Sequence, residues 1–195
     1  MYVMRPLTAP DWPGGLDGLI QARHDHQNAR RHAVSGDGAA LVDLVRLESV
    51  PAVVPVGMCD YDTLVAAFAL RMEDPLIGWP DAERAEPSLV VSYAHTHPRH
   101  RRLFRLITPW LCDYAARRPA PPRWVRGSVG TSAVAEHLRN CGWQSVQQAP
   151  APGRPRHLVQ CAPQQNDIRT LIRSEGELAP PGGTVRRSRT PRSSN

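Results

Sequence analysis

The stretch VVSYAHTHPRHRRLFRLIT, residues 90–108, decides the fold, because a strand, a basic turn and a helix follow one another in it without a break. Its β-branched beginning predicts a strand over Ser88–Ala94. The strand ends at His95-Thr96-His97-Pro98, and apolar residues then return at helical spacing from Leu103 to Arg117. A strand that leads through a short turn into a helix is typical of a sheet with helices packed on its faces.

The turn between this strand and this helix is strongly basic. No acidic residue occurs between Glu86 and Asp113. Four arginines lie in or beside the turn: Arg99, Arg101, Arg102 and Arg105. Unpaired amides at a helix N-terminus together carry about half a positive charge and, with guanidinium groups, suit a phosphate. From the spacing alone, a phosphate site and a solvated basic loop are equally good interpretations.

Outward from this stretch, the apolar patterns predict one mixed sheet. We expect six further strands: Val3–Leu7, Ala52–Met58, Leu64–Leu70, Arg123–Val129, Trp143–Val146 and His157–Cys161. The second and third of these read as an antiparallel hairpin around an Asp-rich turn. The fold class is therefore α/β (α+β), with a mixed, mostly antiparallel central sheet of six to seven strands and helices on both faces.

Three further helices complete this prediction. The first runs from about Trp12 to Arg31, the second spans Gly38–Glu48, and the third spans Ser132–Cys141 with Gly142 in a C-cap role. In the second helix we expect four residues to face the core: Leu41, Leu44, Val45 and Leu47.

The chain has 195 residues, of which 41% are hydrophobic, enough to form one core. We expect a single domain over residues 1–173 and a disordered, Arg/Pro/Ser-rich tail over residues 174–195. No apolar run approaches the roughly 18 residues of a membrane helix, so we expect a cytoplasmic protein without a membrane partner. The four cysteines lie far apart, which suits a reduced compartment and positions in the interior.

The basic character of the chain does not by itself indicate a nucleic-acid partner. All 24 basic residues are arginines, which suggests genomic composition, and the formal net charge is only +6. Arginines near the C-terminus, such as Arg186 and Arg187, would support at most weak, salt-sensitive contacts with nucleic acid.

The order of these elements resembles the GNAT family of acyl-CoA-dependent N-acyltransferases. The resemblance rests on the strand, the HPxHR turn, the helix, the next strand and a short helix that ends before Gly142-Trp143. The opening Arg5-Pro6-Leu7-Thr8 with Asp11-Trp12 is also similar to the R-x-L-T-x-x-D-W beginning of that family. The resemblance covers roughly residues 3–162 in element order.

The resemblance implies that the protein binds acetyl-CoA. The backbone of Ala94, His95 and Thr96 would pair with the pantetheine arm. Arg101 and Arg102 would begin the phosphate turn, and the helix would begin near Leu103. The remaining cofactor-binding candidates are Phe104 and Arg105 in the turn, and Thr131, where the family often has an Asn near the cofactor.

The sequence departs from the family pattern at the residues that usually do the chemistry. Read without a gap, Phe104 and Leu106 stand where the phosphate turn has two glycines; if the turn is about two residues shorter, Phe104 alone replaces the final glycine. In either alignment a phenyl ring should crowd the pyrophosphate. The frequent Tyr that protonates the leaving thiolate falls on Leu138, and a frequent Glu falls on Arg126. His95 and His137 are therefore the candidate catalytic proton carriers.

Other histidines and acids suggest where an acceptor would bind. His24, His26 and His32 lie at the surface or in the acceptor cleft, which the first helix lines in the family. An acidic loop that includes Glu73 and Glu86 would attract a cationic amine, although a solvated loop is the better interpretation. His95, His97 and His100 are close in sequence, but no acid accompanies them, so we expect no metal.

We therefore expect an N-acetyltransferase that moves an acetyl group from acetyl-CoA to an amine of a small molecule or protein, by direct transfer in a ternary complex. The alternative is a catalytically impaired GNAT-like protein that acts as a binding or regulatory module. A nucleic-acid binder is a third and weaker hypothesis. A homodimer is also open, because terminal strands commonly pair between chains in the family.

Overall fold

The computed structural model describes residues 1–8, 15–31, 37–47, 52–100, 102–147 and 156–178. Within these ranges, eight strands form a single sheet in the order β6-β7-β5-β4-β3-β2-β1-β8. The strands are β1 Tyr2–Pro6, β2 Val53–Asp60, β3 Thr63–Arg71, β4 Ser88–Thr96, β5 Trp124–Val129, β6 Gln144–Val146, β7 His157–Cys161 and β8 Ile172–Ser174. The helices are α1 Gly15–Ala29, α2 Asp37–Arg46, α3 Asp81–Arg84, α4 Phe104–Ala116 and α5 Ser132–Arg139.

The sheet is mostly antiparallel, as the sequence predicts. Five neighbouring pairs run antiparallel, and only β4 with β5 and β1 with β8 run parallel. The sheet has one strand more than the predicted six to seven, because β8 lies beside β1 at the sheet edge. A strand of three residues is too short to leave a periodic pattern in the sequence.

Helices cover both faces of the sheet, and alternate residues of β3 separate the two core layers. Phe68 and Leu70 belong to the cluster that contains the buried residues of α4 and α5. Ala67 and Ala69 belong to the cluster that α1 and α2 complete. The small side chains bring the N-terminal helices close to the middle of the sheet, which places α1 and α2 against β4.

Two local predictions need correction. Leu47 was expected to face the core, but it is strongly exposed, since α2 ends one residue before it. The hairpin turn is shorter than expected, because Asp60 pairs with Thr63 and leaves only Tyr61 and Asp62 outside the strands. The predicted start of the first helix near Trp12 and most of the predicted tail lie outside the described residues.

The folded part continues past the predicted domain boundary at residue 173. Ser174 is the last residue of β8, and its hydroxyl accepts a hydrogen bond of 2.9 Å from the Trp110 indole. Leu178 is only 1% exposed and belongs to the core cluster that α4 and α5 complete. Single apolar residues such as Leu178 give no pattern that distinguishes a buried segment from a tail.

We predict that Leu178→Ala destabilises the protein by about 2–4 kcal/mol, because the lost methyl groups leave a cavity that the neighbours cannot fill completely. Leu171→Ala is the matched control: Leu171 is 53% exposed, so its truncation should change stability by less than about 0.5 kcal/mol. Urea unfolding of both variants measures the difference. Equal, small effects would mean that the segment after β8 does not pack on the core.

No helix in the described ranges is both long enough and apolar enough to cross a membrane.

Candidate functional site

β4 leaves its neighbour β5 halfway along its length. The two strands pair from Ser88 to Val91 of β4, where the parallel register ends. β4 itself continues to Thr96, which is still paired with Ala66 of β3. The peptide groups of β4 beyond Val91 that face β5 therefore have no strand partner in the described chain, and they are available to a ligand.

A β-bulge at Tyr93 and Ala94 reshapes the free end of β4. Between Ser92 and His95, β4 has two residues where β3 has one. Tyr93 adopts a positive φ of 53°, a conformation that a non-glycine residue keeps only where its surroundings enforce it. A bulge shifts the alternation of side chains between the two faces. Here it leaves Ala94 exposed while His95 is buried.

His95 lies between β4 and the two N-terminal helices. It is 7% exposed, and its Nε2 atom has no hydrogen-bond partner in the described chain. The ring makes a hydrogen bond to the main chain of Asp37, which by elimination uses Nδ1. Burial lowers the pKa of His95, and Arg23 and His24 lower it further, against the opposite effect of Asp37. His95 is therefore neutral at pH 7, and the lone pair of Nε2 can accept a proton.

The basic turn reaches α4 through a residue in the left-handed region. Arg102 has a φ of 67°, a conformation that glycine adopts at the lowest cost. Its carbonyl accepts a hydrogen bond of 2.9 Å from the Arg105 amide. The amides of Leu103 and Phe104 have no acceptor within the described chain. Arg101, the other predicted phosphate contact, lies outside the described residues.

The Phe104 side chain is held against α5. Its ring lies 6.1 Å from the His137 ring in an edge-on arrangement and packs on the core. Leu106, in the place of the second glycine, is also partly buried against the core. The phenyl group predicted to crowd a pyrophosphate thus has a packing position between α4 and α5.

The two predicted catalytic histidines are not brought together. His95 faces α1 and α2, whereas His137 is exposed on α5, which packs on the opposite face of the sheet. Leu138, next to His137, is buried in the core and contributes no polar group. Only one of these histidines can therefore act on a given reacting atom.

Other predicted cofactor contacts have local structural roles. The Thr131 hydroxyl accepts a hydrogen bond of 3.3 Å from the Val134 amide and so caps α5. The Leu103 side chain is buried in the core, which leaves only its backbone for a ligand. The rings of His97 and His100 lie 5.5 Å apart, but no group of three or more potential metal ligands occurs among the described residues.

Arg126, in the place of the usual Glu, is a buried anchor for the loop between β3 and β4. It is fully buried and donates hydrogen bonds to the Glu83 carbonyl, the Ser88 hydroxyl, the Glu86 carboxylate and the Gln160 side chain. Its guanidinium also lies 4.9 Å from the centre of the Trp79 ring. These contacts give the Arg126 side chain a structural role.

In the acidic loop, Glu86 is paired with two arginines, Arg123 and Arg126. Partial burial acts to raise the pKa of Glu86, but hydrogen bonds from Trp124 and Arg123, together with the charges of Arg123 and Arg126, hold it below its usual value. A groove of about 480 Å³ runs beside this loop. Ser88, the first residue of β4, lines this groove. The groove therefore lies at the opposite end of the strand from His95. The loop and the groove are accordingly distant from the buried imidazole.

Sequence reasoning identified His95 but missed its surroundings. Arg23 on α1 and Asp37 at the start of α2 affect the His95 ring directly. A cation and an anion some fourteen positions apart give no spacing motif, and only the packing of two helices on β4 brings them to one histidine.

Comparison with known proteins supports the fold. No protein-family model and no curated protein matches the sequence, whereas 146 chains of solved structures match the fold. An acetyltransferase from Streptococcus agalactiae 2603 superposes with a TM-score of 0.58 at 15% identity, over 83% of this chain and 98% of that chain.

Two further solved structures match the fold of this chain. An aminoglycoside N(6')acetyltransferase from Legionella pneumophila matches at a TM-score of 0.57 and 12% identity, over 87% of this chain and 95% of that chain. The structure of the yncA protein from Salmonella typhimurium with its cofactor acetyl-CoA matches at a TM-score of 0.53 and 13% identity, over 85% of this chain and 96% of that chain. The chain therefore has the fold of the GNAT-family N-acetyltransferases, as the arrangement of β4, its bulge and α4 indicates.

Proposed function

We propose that the protein is an acetyl-CoA-dependent N-acetyltransferase that acetylates an amine by direct transfer in a ternary complex. The observation that carries this proposal is the position of His95. A buried, neutral imidazole, whose Nε2 has no partner in the described part of the chain, lies at the end of β4 that has separated from β5. That combination supplies a proton acceptor beside a backbone edge that can hold an extended ligand.

The donor would bind along the free edge of β4 and at the start of α4. Backbone groups of Ala94, His95 and Thr96 would pair with the pantetheine arm, as a strand partner would. The amides of Leu103 and Phe104, which have no acceptor among the described residues, lie at the positive end of a 13-residue helix and would contact the pyrophosphate. The exposed Arg102 and Arg105 would add charge, and Arg101 and Thr131 remain proposed neighbours of the cofactor.

The chain's own residues would bring the amine to the thioester and remove its proton. The bound thioester supplies the acetyl group: the amine nitrogen forms a bond to the carbonyl carbon, the carbon–sulfur bond breaks, and CoA leaves as the thiol. His95 Nε2 would take the proton that the amine loses, and amides at the β4 bulge would polarise the carbonyl. His137, on the face of α4 and α5, would be the proton donor nearest to the cofactor side.

Calorimetric titration with acetyl-CoA tests this proposal first. We predict saturable binding, and we expect Arg102→Ala together with Arg105→Ala to weaken it about 10- to 100-fold, because charged hydrogen bonds to phosphate contribute about 1.5–3 kcal/mol. Arg139→Ala is the control, since Arg139 is exposed at the far end of α5 and should leave the affinity unchanged.

A specific observation also favours the second candidate function, a binding module without catalysis. Arg102 has the conformation of a glycine without being one, and Phe104 stands in the place of a glycine of the family's phosphate turn. If millimolar acetyl-CoA and free CoA both produce no heat and no thermal stabilisation, the transferase proposal fails. The protein would then act through a partner bound to the same scaffold.

A further inference from the structure

A group of buried polar atoms lies where α1 and α2 pack on β4. We call it the acceptor cluster, formed by Arg23, His24, Asp37 and His95. α1 and α2 both contact β4, and the His95 ring is hydrogen-bonded to the main chain of Asp37, the first residue of α2. The cluster is thus built from two consecutive helices and from a strand that lies far from them in the sequence.

Two imidazole nitrogens in this cluster are buried and have no partner in the described chain, the Nε2 atoms of His24 and His95. His24 Nε2 lies beside α2 as well, since a Cβ added to Gly38 would be 3.6 Å from it. The same Cβ would be 2.8 Å from the Ile20 side chain, so a glycine is needed at this position. Burying two nitrogen atoms without a hydrogen-bond partner costs free energy, which a ligand that hydrogen-bonds to them would offset.

Arg23 is a partly buried cation with no hydrogen bond or ion pair to a described residue. Burial lowers its pKa, and the charge of Arg30 lowers it further. A guanidinium in such a position favours a planar, bidentate anion, above all a carboxylate.

Arg23 and Asp37 carry opposite charges and act oppositely on the His95 ring: Asp37 raises its pKa and Arg23 lowers it. The amine of a zwitterion would sit beside Asp37 and His95, and its carboxylate would sit at Arg23.

We propose that the acceptor is an amine that also carries a carboxylate, as amino acids do, with the carboxylate bound by Arg23 and the amino group by His24 and His95. This inference rests on the proposed function. A polycationic acceptor fits this site less well, because Arg23 and Arg30 repel it.

Acetylation of matched pairs of substrates tests the proposal. Each pair consists of an amino acid and its decarboxylated amine: L-phenylalanine with phenethylamine, L-leucine with isoamylamine, and L-lysine with cadaverine. We expect kcat/KM to be higher for the amino acid in at least one pair. Arg23→Gln should raise KM for that amino acid about 10- to 100-fold with little change in kcat, and should leave the decarboxylated amine unaffected.

Two controls separate binding from a structural effect. Arg46→Gln removes the same charge from the exposed last turn of α2 and should leave the preference unchanged. His24→Leu should raise KM for both members of each pair, because a leucine side chain cannot hydrogen-bond to the amino group. Loss of the preference in Arg46→Gln, or its survival in Arg23→Gln, would overturn the assignment.

Thermal stabilisation by the same compounds without CoA distinguishes this inference from the proposed function. If the protein acetylates the decarboxylated amines as fast as the amino acids, the function stands and the inference fails. If no compound is acetylated, the function fails. In that case, stabilisation by an amino acid that Arg23→Gln abolishes would still support the carboxylate site, and its absence would overturn it.

Discussion

His95→Gln is expected to lower kcat about 100- to 10,000-fold while acetyl-CoA affinity stays unchanged, the range typical for loss of a general base. Gln preserves a hydrogen-bonding side chain of similar size in a site that is 7% exposed, so the fold should survive. The amide nitrogen has no basic lone pair and cannot take the proton that the amine loses. Steady-state kinetics with calorimetry of the cofactor measures both quantities.

The pH profile provides a sharper test of the same residue. Burial lowers the pKa of His95 from its usual value of 6.5, so the neutral, proton-accepting form predominates above that lowered pKa. kcat should therefore fall as the pH drops below 6.5, and His95→Gln should remove that acidic limb. A profile that keeps the limb in the variant would assign it to another group.

The same shift predicts how stability depends on pH. Because the folded-state pKa lies below the unfolded value of about 6.5, the unfolded chain binds more protons below that pH. The free energy of unfolding should accordingly fall as the pH decreases through 6.5, and this part of the fall should be missing in His95→Gln. Urea unfolding at several pH values measures the difference.

A matched histidine controls for changes that are not specific to His95. His97 lies two residues further along and is more exposed, and its Nδ1 accepts a hydrogen bond of 3.3 Å from the Arg99 amide. His97→Gln should therefore leave kcat within a few-fold of the original. An equal loss in both variants would mean that the turn as a whole is required, and it would contradict a specific role for His95.

Arg126→Ala is expected to have the largest effect on stability, about 3–5 kcal/mol, as for the loss of one member of a buried, hydrogen-bonded charge cluster. Arg126 is 0% exposed, and its removal leaves the Ser88 hydroxyl and the Gln160 carbonyl without their donor. In a protein of this size the loss corresponds to a decrease in Tm of about 6–20 °C. Calorimetry and urea unfolding measure it.

Two variants identify the cause of this loss. Arg126→Lys keeps the charge but cannot reach several acceptors at once. Its stability should therefore lie between that of the original protein and that of Arg126→Ala. Arg123→Ala removes the other arginine from Glu86, but Arg123 is exposed, so a much smaller loss is expected. If Arg126→Ala were no more harmful than Arg123→Ala, the buried cluster would not hold the loop between β3 and β4.

The sequence was informative where a pattern is local. Alternating and helical apolar spacing predicted the hairpin of β2 and β3 and the succession of β4 and α4, because each depends on neighbouring residues. Gly142, predicted in the C-cap role, has a φ of 95°, which glycine readily adopts. Chain order alone likewise indicated that His95 stands at the end of a strand beside a basic turn.

Only the tertiary structure decided which groups share a site. The bulge at Tyr93 turns His95 toward α1 and α2, whereas His137 follows α5 to the other face of the sheet. The burial that lowers the pKa of His95 and the nearby charges of Arg23 and Asp37 come from elements far apart in the chain. The strand β8 and the burial of Leu178 have the same origin. Burial and electrostatic coupling depend on distances in space, and a linear pattern does not encode them.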